Sequence, residues 1–179
     1  MCARKKVLAI SGSIRKNSVN TQLLKRLKEM FAPECDIEIY EKLDMLPFFN
    51  PDLENTKLPF EVERFRNEIS KADGVLICTP EYVFSIPAIL KNAIEWTVST
   101  VVFTDKPVAI ITASTSGEKA HESLLLVMKT LGAKIEDDST ILIRAPKTKI
   151  DAEGAITDKE TLNGINTLMN TFLNSIVSQ

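Results

Sequence analysis

The chain has 179 residues, of which 44% are hydrophobic and 26% charged, and its formal net charge is −2. This balance fits one globular domain over residues 1–179 and argues against a general nucleic-acid partner, because no basic stripe is present. Three cysteines without a CxxC pair (Cys2, Cys35 and Cys78) and a single histidine, His121, favour a reduced, cytoplasmic protein without a metal centre.

The chain begins with the basic segment MCARKK, and the apolar run that follows it is short. We therefore expect neither a signal peptide nor a membrane span. From there, five β-rich runs alternate with helical patterns, and three of these runs are continuously apolar, as strands covered on both faces are. The predicted strands are Lys6–Ile10, Asp36–Tyr40, Gly74–Thr79, Pro107–Thr112 and Thr140–Ile143.

Apolar residues between the strands recur at helical spacing and predict amphipathic helices. Three stripes are formed by Leu23, Leu27, Met30 and Phe31, by Ile86, Leu90, Ala93, Ile94 and Thr97, and by Ala120, Leu124, Val127, Met128 and Leu131. A shorter helix covers Glu61–Lys71, and a closing helix from about Asp158 carries Ile165, Leu168, Met169, Phe172 and Ile176. Gly132 is predicted to stop the helix before it.

Strands that alternate with helices predict an α/β fold, a doubly wound five-stranded parallel sheet with helices on both faces. For this length the flavodoxin-like strand order 2-1-3-4-5 is expected. In such a sheet the ligand binds beyond the carboxyl ends of the strands, at the switch point between strands 1 and 3. The informative loops are therefore those that follow Ile10, Thr79 and Thr112.

The first of these loops is GSIRKNSVN, residues 12–20, between an apolar strand and a predicted helix. Hydroxyls and loop amides can donate to phosphate oxygens, the helix N-terminus adds partial positive charge, and Arg15 can donate through two nitrogens. The loop therefore has the parts of a phosphate site. The alternative is a polar turn in which Ser18 or Asn20 caps the helix.

The second loop places two aromatic residues, Tyr82 and Phe84, at the carboxyl edge of a buried strand. A planar heterocycle could stack there, with backbone groups meeting its polar edge. The alternative is that both rings pack on neighbouring helices or on another subunit. Ser85 is the expected cap of the following helix. The third loop, Ala113–Glu118, is small and polar, and His121 beyond it is expected to be a capped surface histidine.

An anion site at one end and a flat, partly aromatic wall at the other describe a mononucleotide site, and FMN fits it well. The dinucleotide and P-loop fingerprints GxGxxG and GxxxxGK[ST] are missing. Three segments, GSIRKNSVN (12–20), LPFFNPDLE (46–54) and PEYVFSIPAILKNAIEW (80–96), resemble the NADPH-dependent FMN reductases, a flavodoxin-like group that includes quinone, azo and chromate reductases. The similarity spans about residues 5–135.

The resemblance implies roles for particular residues. The FMN phosphate would be bound by Ser13, Arg15, Ser18 and Asn20. The ribityl chain and isoalloxazine ring would meet Pro80, Glu81, Tyr82 and Ser85, and the ring pocket would be completed by the loop Ser114–Gly117, including Ser116. Val83 is also placed at the cofactor, but the family often has Asn there, so one polar contact is lost. In many relatives the third loop is richer in glycine and is followed by Arg, whereas this chain has SGEKAHES.

The function implied is an oxidoreductase that passes hydride from NADPH or NADH through bound FMN to a quinone-like or other small acceptor, without a catalytic side chain. The resemblance also implies a homodimer or homotetramer, with residues 46–54 as a candidate contact to a neighbouring pocket. Lys91, Asn92 and Trp96, on the helix after the second loop, are expected to be structural or at a subunit interface.

Two other functions stay open from the sequence, a non-enzymatic FMN-binding electron carrier and a redox-sensing protein that holds FMN. Carriers of the flavodoxin type tend to be strongly acidic, so the small net charge and Arg15 argue against that class. A low-molecular-weight phosphatase shares the architecture but needs a nucleophilic cysteine at the start of the first loop, and this loop has none.

Overall fold

The sheet of this protein has the predicted topology. A computed structural model describes residues 4–54 and 56–176, and the predicted thiol Cys2 lies outside these described residues. Five parallel strands form one sheet in the order β2-β1-β3-β4-β5. They are β1 (Lys5–Ser11), β2 (Cys35–Tyr40), β3 (Gly74–Thr79), β4 (Val108–Ser114) and β5 (Thr140–Arg144).

Five α-helices connect or follow the strands, close to the predicted ranges. They are α1 (Val19–Met30), α2 (Phe60–Lys71), α3 (Ala88–Glu95), α4 (Glu118–Thr130) and α5 (Lys159–Ser175). Asp158 begins α5 by accepting a hydrogen bond of 2.8 Å from the Thr161 amide. Gly132 has φ +78° two residues after α4, which confirms the predicted helix stop.

Successive side chains of a strand point to opposite faces of the sheet and pack in two separate hydrophobic cores. Val7 and Ala9 of β1 pack with α1 and α5 on one face, whereas Leu8 and Ile10 pack with α2, α3 and α4 on the other. Every residue of β3 is buried, which explains its unbroken apolar sequence. Because both faces are covered, a ligand must approach the sheet at the ends of its strands, and in folds of this kind it binds at the carboxyl ends.

Two predicted boundaries near these loops are wrong. Strand β4 continues through Ser114, so that residue ends a strand rather than beginning a loop. Helix α3 begins only at Ala88, and its N-cap is Pro87 rather than Ser85. Ser85 is held instead in a backbone pair with Tyr82, with N–O distances of 3.1 Å in both directions. The predicted helix therefore starts later because the preceding residues form a turn of their own.

Candidate functional site

The carboxyl edge of the sheet carries a cavity of about 400 Å³ between the loops that follow β1, β3, β4 and β5. This volume lies in the range of small-molecule sites, roughly 300–1,000 Å³. We call residues 13–20 and 145–148 the α1 wall, and residues 80–85 and 113–117 the hairpin wall. The predicted site residues that line the cavity are Ser13, Arg15, Ser18, Asn20, Pro80, Glu81, Tyr82 and Ser114.

The other four predicted site residues are not among the described residues that line this cavity. Val83 is 95% exposed at the tip of a turn, and Ser85 is paired with Tyr82. Ser116 is exposed, whereas Gly117 is buried with φ +96° as the N-cap of α4. Their contact with a cofactor therefore stays a prediction from the family resemblance.

The start of α1 presents hydrogen-bond donors on the α1 wall. Ser18 is only 4% exposed, and among the described residues its hydroxyl makes no capping hydrogen bond, contrary to the capping alternative. The first amides of a helix have no acceptor within it. Arg15, three residues earlier, is exposed and lines the same cavity. A buried hydroxyl, free amides and a guanidinium fit a phosphate monoester.

Asn20 connects the α1 wall to the sheet. Its Nδ2 donates to the Ala113 carbonyl at 3.3 Å, and its Oδ1 accepts from the Cys78 thiol at 3.3 Å. Burial raises the pKa of the Cys78 thiol, so this group stays protonated and keeps its donor. Because an amide nitrogen carries two hydrogens, Asn20 retains one donor for a ligand in the cavity that it lines.

The Glu81 carboxylate has a structural role in the hairpin wall. Its Oε1 accepts from the Gly117 amide at 3.2 Å, and its Oε2 accepts from the Ala120 amide at 3.0 Å. Both amides belong to the first turn of α4, whose own N-cap offers no side chain. Glu81 thus caps that helix from another loop and fixes the distance between the two loops of this wall.

The tip of the hairpin wall is a strained turn. Val83 and Phe84 have φ +52° and +54°, and the flanking Tyr82–Ser85 backbone pair closes a two-residue turn of type I′ geometry. Such turns favour Asn and Gly, because β-branched and bulky residues rarely adopt positive φ. Tyr82 is 45% exposed and Phe84 is 75% exposed. Neither ring is therefore buried against the helices of the same chain.

The loop after β5 was missed by the sequence analysis. Ala145, Pro146, Lys147 and Thr148 all line the cavity, and the last three form a single 3-10 turn. No glycine-rich or aromatic pattern marks this segment. The signal that could have found it is topological, since β5 is parallel to its neighbours and its carboxyl end must therefore lie at the same edge.

His121 is half-buried rather than a surface residue, and its Nδ1 lies 2.9 Å from the Thr112 hydroxyl. Burial lowers the pKa of its imidazole. Over residues 4–54 and 56–176, no group of three His, Cys, Asp or Glu side chains is arranged to hold a metal. No helix in those ranges is long and apolar enough to cross a membrane.

Asn92 and Trp96 hold the loop that contains the segment 46–54. The Asn92 side chain accepts from the Phe49 amide at 2.8 Å and donates to the Pro47 carbonyl at 3.0 Å. The Trp96 indole also donates to Pro47, at 2.7 Å. Phe48, between the two fixed residues, is nevertheless 88% exposed. The structural role expected of Asn92 and Trp96 is thus visible, and they present an apolar side chain to solvent.

Comparison with known proteins identifies relatives over most of the chain. Residues 5–145 match the family of NADPH-dependent FMN reductases. An NADPH:quinone oxidoreductase of Arabidopsis thaliana is 39% identical over 167 residues, covering 87% of this chain and 84% of the relative. The subunit CrdA of an NADH:(hydroxy)cinnamate reductase of Vibrio ruber is 33% identical over 172 residues, covering 93% and 84%.

A solved structure is similar over nearly the full length. The flavoenzyme FerB of Paracoccus denitrificans, an NAD(P)H:acceptor oxidoreductase, superimposes with a TM-score of 0.79 at 28% identity. The alignment covers 96% of this chain and 97% of FerB.

Proposed function

We propose that this chain, which belongs to the NADPH-dependent FMN reductase family, oxidises NAD(P)H and reduces a quinone-like or other small acceptor. FMN would be held in the cavity between the loops that follow β1, β3, β4 and β5. The chain is an oxidoreductase by family, and its relatives act with NADH or NADPH on quinones and flavins. For the electron acceptor we propose a chemical class, quinone-like or other small molecules.

The observation that carries this proposal is the chemistry of the cavity lining, which offers groups that can bind an anion but, within the described part of the chain, no free catalytic thiol or carboxylate. Among the described residues that line it, there is no His or Cys, and the Glu81 carboxylate is occupied by two amides of α4. The lining therefore lacks a free nucleophile of the thiol type and a free carboxylate base. The α1 wall instead carries anion-binding groups. Such a cavity suits a bound cofactor that performs the chemistry while the protein orients it.

We assign the phosphate end of FMN to the α1 wall, with Ser13, Arg15, Ser18 and Asn20 as donors. The ring end is assigned to the hairpin wall, where Pro80, Tyr82 and Ser114 border the cavity. When bound, FMN supplies the two-electron chemistry that links nicotinamide oxidation to acceptor reduction. The chain's own residues hold the phosphate and keep the two ring-side loops at a fixed separation through Glu81.

The experiment is a flavin titration followed by a turnover assay. Apoprotein is titrated with FMN, FAD and riboflavin, and we expect FMN to bind most tightly because the α1 wall is built for one terminal phosphate. Tighter binding of FAD, or no binding of any flavin, would contradict the proposal. Steady-state oxidation of NADH and NADPH with a quinone then separates an enzyme from an electron carrier or a redox sensor, which would bind FMN without turnover.

We also propose that the protein is a homodimer or homotetramer in the cytoplasm. Phe48, Val83 and Phe84 are 88%, 95% and 75% exposed, and each lies in a segment fixed by hydrogen bonds. Large apolar side chains held rigidly in water are typical of subunit contacts. Light scattering of the purified protein gives its mass, and Phe48→Asp is expected to shift that mass towards the monomer. A monomeric parent protein would contradict the proposal.

A further inference from the structure

The 3-10 turn after β5 brings a lysine to the cavity that the family resemblance does not assign. Lys147 lines the cavity described above, and it also lines a neighbouring one together with Asn17 and Val19. Asn17 and Val19 line both cavities as well and flank Ser18, the N-cap of α1. Lys147 is therefore placed beside the first turn of α1.

The backbone around Lys147 is fixed at both ends. Ala145 has φ +48°, an unusual conformation for a residue with a Cβ, and its amide donates to the Ser114 carbonyl at 3.0 Å. The Thr148 amide and hydroxyl both donate to the Ala145 carbonyl, at 3.0 and 2.9 Å. Pro146 is buried between them. A turn braced in this way presents Lys147 at a defined place rather than on a mobile loop.

The charged side chains that line this cavity favour an anion as its ligand. Arg15 and Lys147 are the cations among the described residues that line it, and no ion pair within the described ranges involves either side chain. The opposing carboxylate, Glu81, is compensated by the amides of α4. A phosphate monoester carries about −1.5 to −2 at neutral pH, which is the charge that two free cations would match.

We propose that Lys147 is a second phosphate-binding cation, so that Arg15 and Lys147 hold the FMN phosphate from two sides of the α1 N-terminus. This inference rests on the proposed FMN site and adds a determinant of specificity to it. The guanidinium orients the phosphate through paired hydrogen bonds, whereas the ammonium contributes as a point charge. The buried Ser18 hydroxyl, without a capping bond among the described residues, lines the same cavity and adds a neutral donor.

The test compares Lys147→Ala with a matched control, Lys25→Ala. Lys25 is also an exposed lysine, on α1, but it is not among the described residues that line this cavity. Each variant is titrated with FMN and with riboflavin, which lacks the phosphate, by quenching of flavin fluorescence. Lys147→Ala should weaken FMN about fivefold and leave riboflavin unchanged, as expected for a partly solvated charge-assisted contact. Lys25→Ala should change the affinity for neither flavin.

Two further measurements distinguish loss of a phosphate contact from a general folding defect. Lys147→Arg should retain the preference for FMN over riboflavin, which excludes a general folding defect as the cause. Inorganic phosphate should compete with FMN less effectively in Lys147→Ala than in the parent protein. Equal losses for FMN and riboflavin, or equal effects of the Lys147 and Lys25 variants, would overturn the inference. A parent protein that binds neither flavin would instead overturn the proposed function itself.

Discussion

On the α1 wall, the side chains of Arg15, Ser18 and Lys147 carry polar groups that form no hydrogen bonds with other described residues, whereas on the hairpin wall both oxygens of the Glu81 carboxylate accept hydrogen bonds within the fold. The side chains of the first wall are therefore available to the ligand that we propose. In the second, side chains maintain the backbone geometry, and the exposed Tyr82 ring is the remaining large surface. A substitution on the α1 wall should therefore affect discrimination between FMN and riboflavin, whereas one on the hairpin wall should affect loop geometry or stability.

The largest effect expected from this comparison is at Arg15. Arg15→Ala removes the guanidinium that we propose to contact the FMN phosphate, and a charge-assisted contact of this kind contributes about 1.5–3 kcal/mol. FMN affinity should therefore fall roughly tenfold or more, whereas riboflavin affinity should hardly change. Titrations of the apoprotein with both flavins measure this. Equal losses for the two ligands would place Arg15 in the fold rather than at the phosphate and would remove the distinction between the walls.

Glu81→Ala should give the opposite pattern. Loss of the carboxylate leaves two amides of α4 without their acceptor, and by analogy with capping residues this should lower the free energy of unfolding by about 1–2 kcal/mol. FMN and riboflavin should both bind more weakly, and by similar factors, because the ring-side loops lose their link. Urea unfolding of the apoprotein and the two titrations provide the measurements.

Glu118→Ala is the matched control for this change. Glu118 is a carboxylate on the same first turn of α4, and its hydrogen bond from Arg144 lowers its pKa. That contact lies at the surface, where ion pairs add little to stability. Stability and flavin binding should remain as in the parent protein. If Glu118→Ala destabilises the protein as much as Glu81→Ala does, the special role of Glu81 as a link between loops is wrong.

A smaller effect, and one of opposite sign, is expected at the tip of the hairpin wall. Val83 has φ +52°, and a β-branched residue in that conformation is strained by roughly 1–3 kcal/mol. Val83→Asn places the residue that a type I′ turn prefers, so the unfolding free energy should rise by about 1 kcal/mol. Thermal unfolding of the apoprotein tests this. Unchanged or lower stability would mean that the turn is relaxed despite its geometry.

The two walls also differ in how far they could be predicted from the sequence. Continuous apolar strands predicted the sheet, and the polar loop after β1 indicated the start of α1 as the anion site that we propose, because both signals are local. The conformation of Val83 could not be predicted, since its residue type disfavours positive φ. Lys147 was missed for another reason. It reaches the cavity only through tertiary placement of the β5 loop beside α1, and no local pattern records that contact.

The smallest expected change in stability is at Tyr82. It distinguishes whether the Tyr82 ring borders the flavin or supports packing. A fully buried aromatic residue would cost about 3–5 kcal/mol on truncation, but Tyr82 is 45% exposed in the single chain. Tyr82→Ala should therefore lower the unfolding free energy of the apoprotein by less than about 1 kcal/mol. If the ring borders the flavin, the absorption spectrum of bound FMN should shift and turnover should fall.

Measurement on the apoprotein is essential for Tyr82, because a bound ligand would add its own binding energy to the apparent stability. Phe84→Ala is a suitable companion, since Phe84 lies in the same turn and does not line the cavity among the described residues. Its spectrum with FMN should match that of the parent protein. A large loss of apoprotein stability with an unaltered flavin spectrum in Tyr82→Ala would show that Tyr82 supports packing, most directly across a subunit contact. The hairpin wall would then border the flavin through its backbone alone.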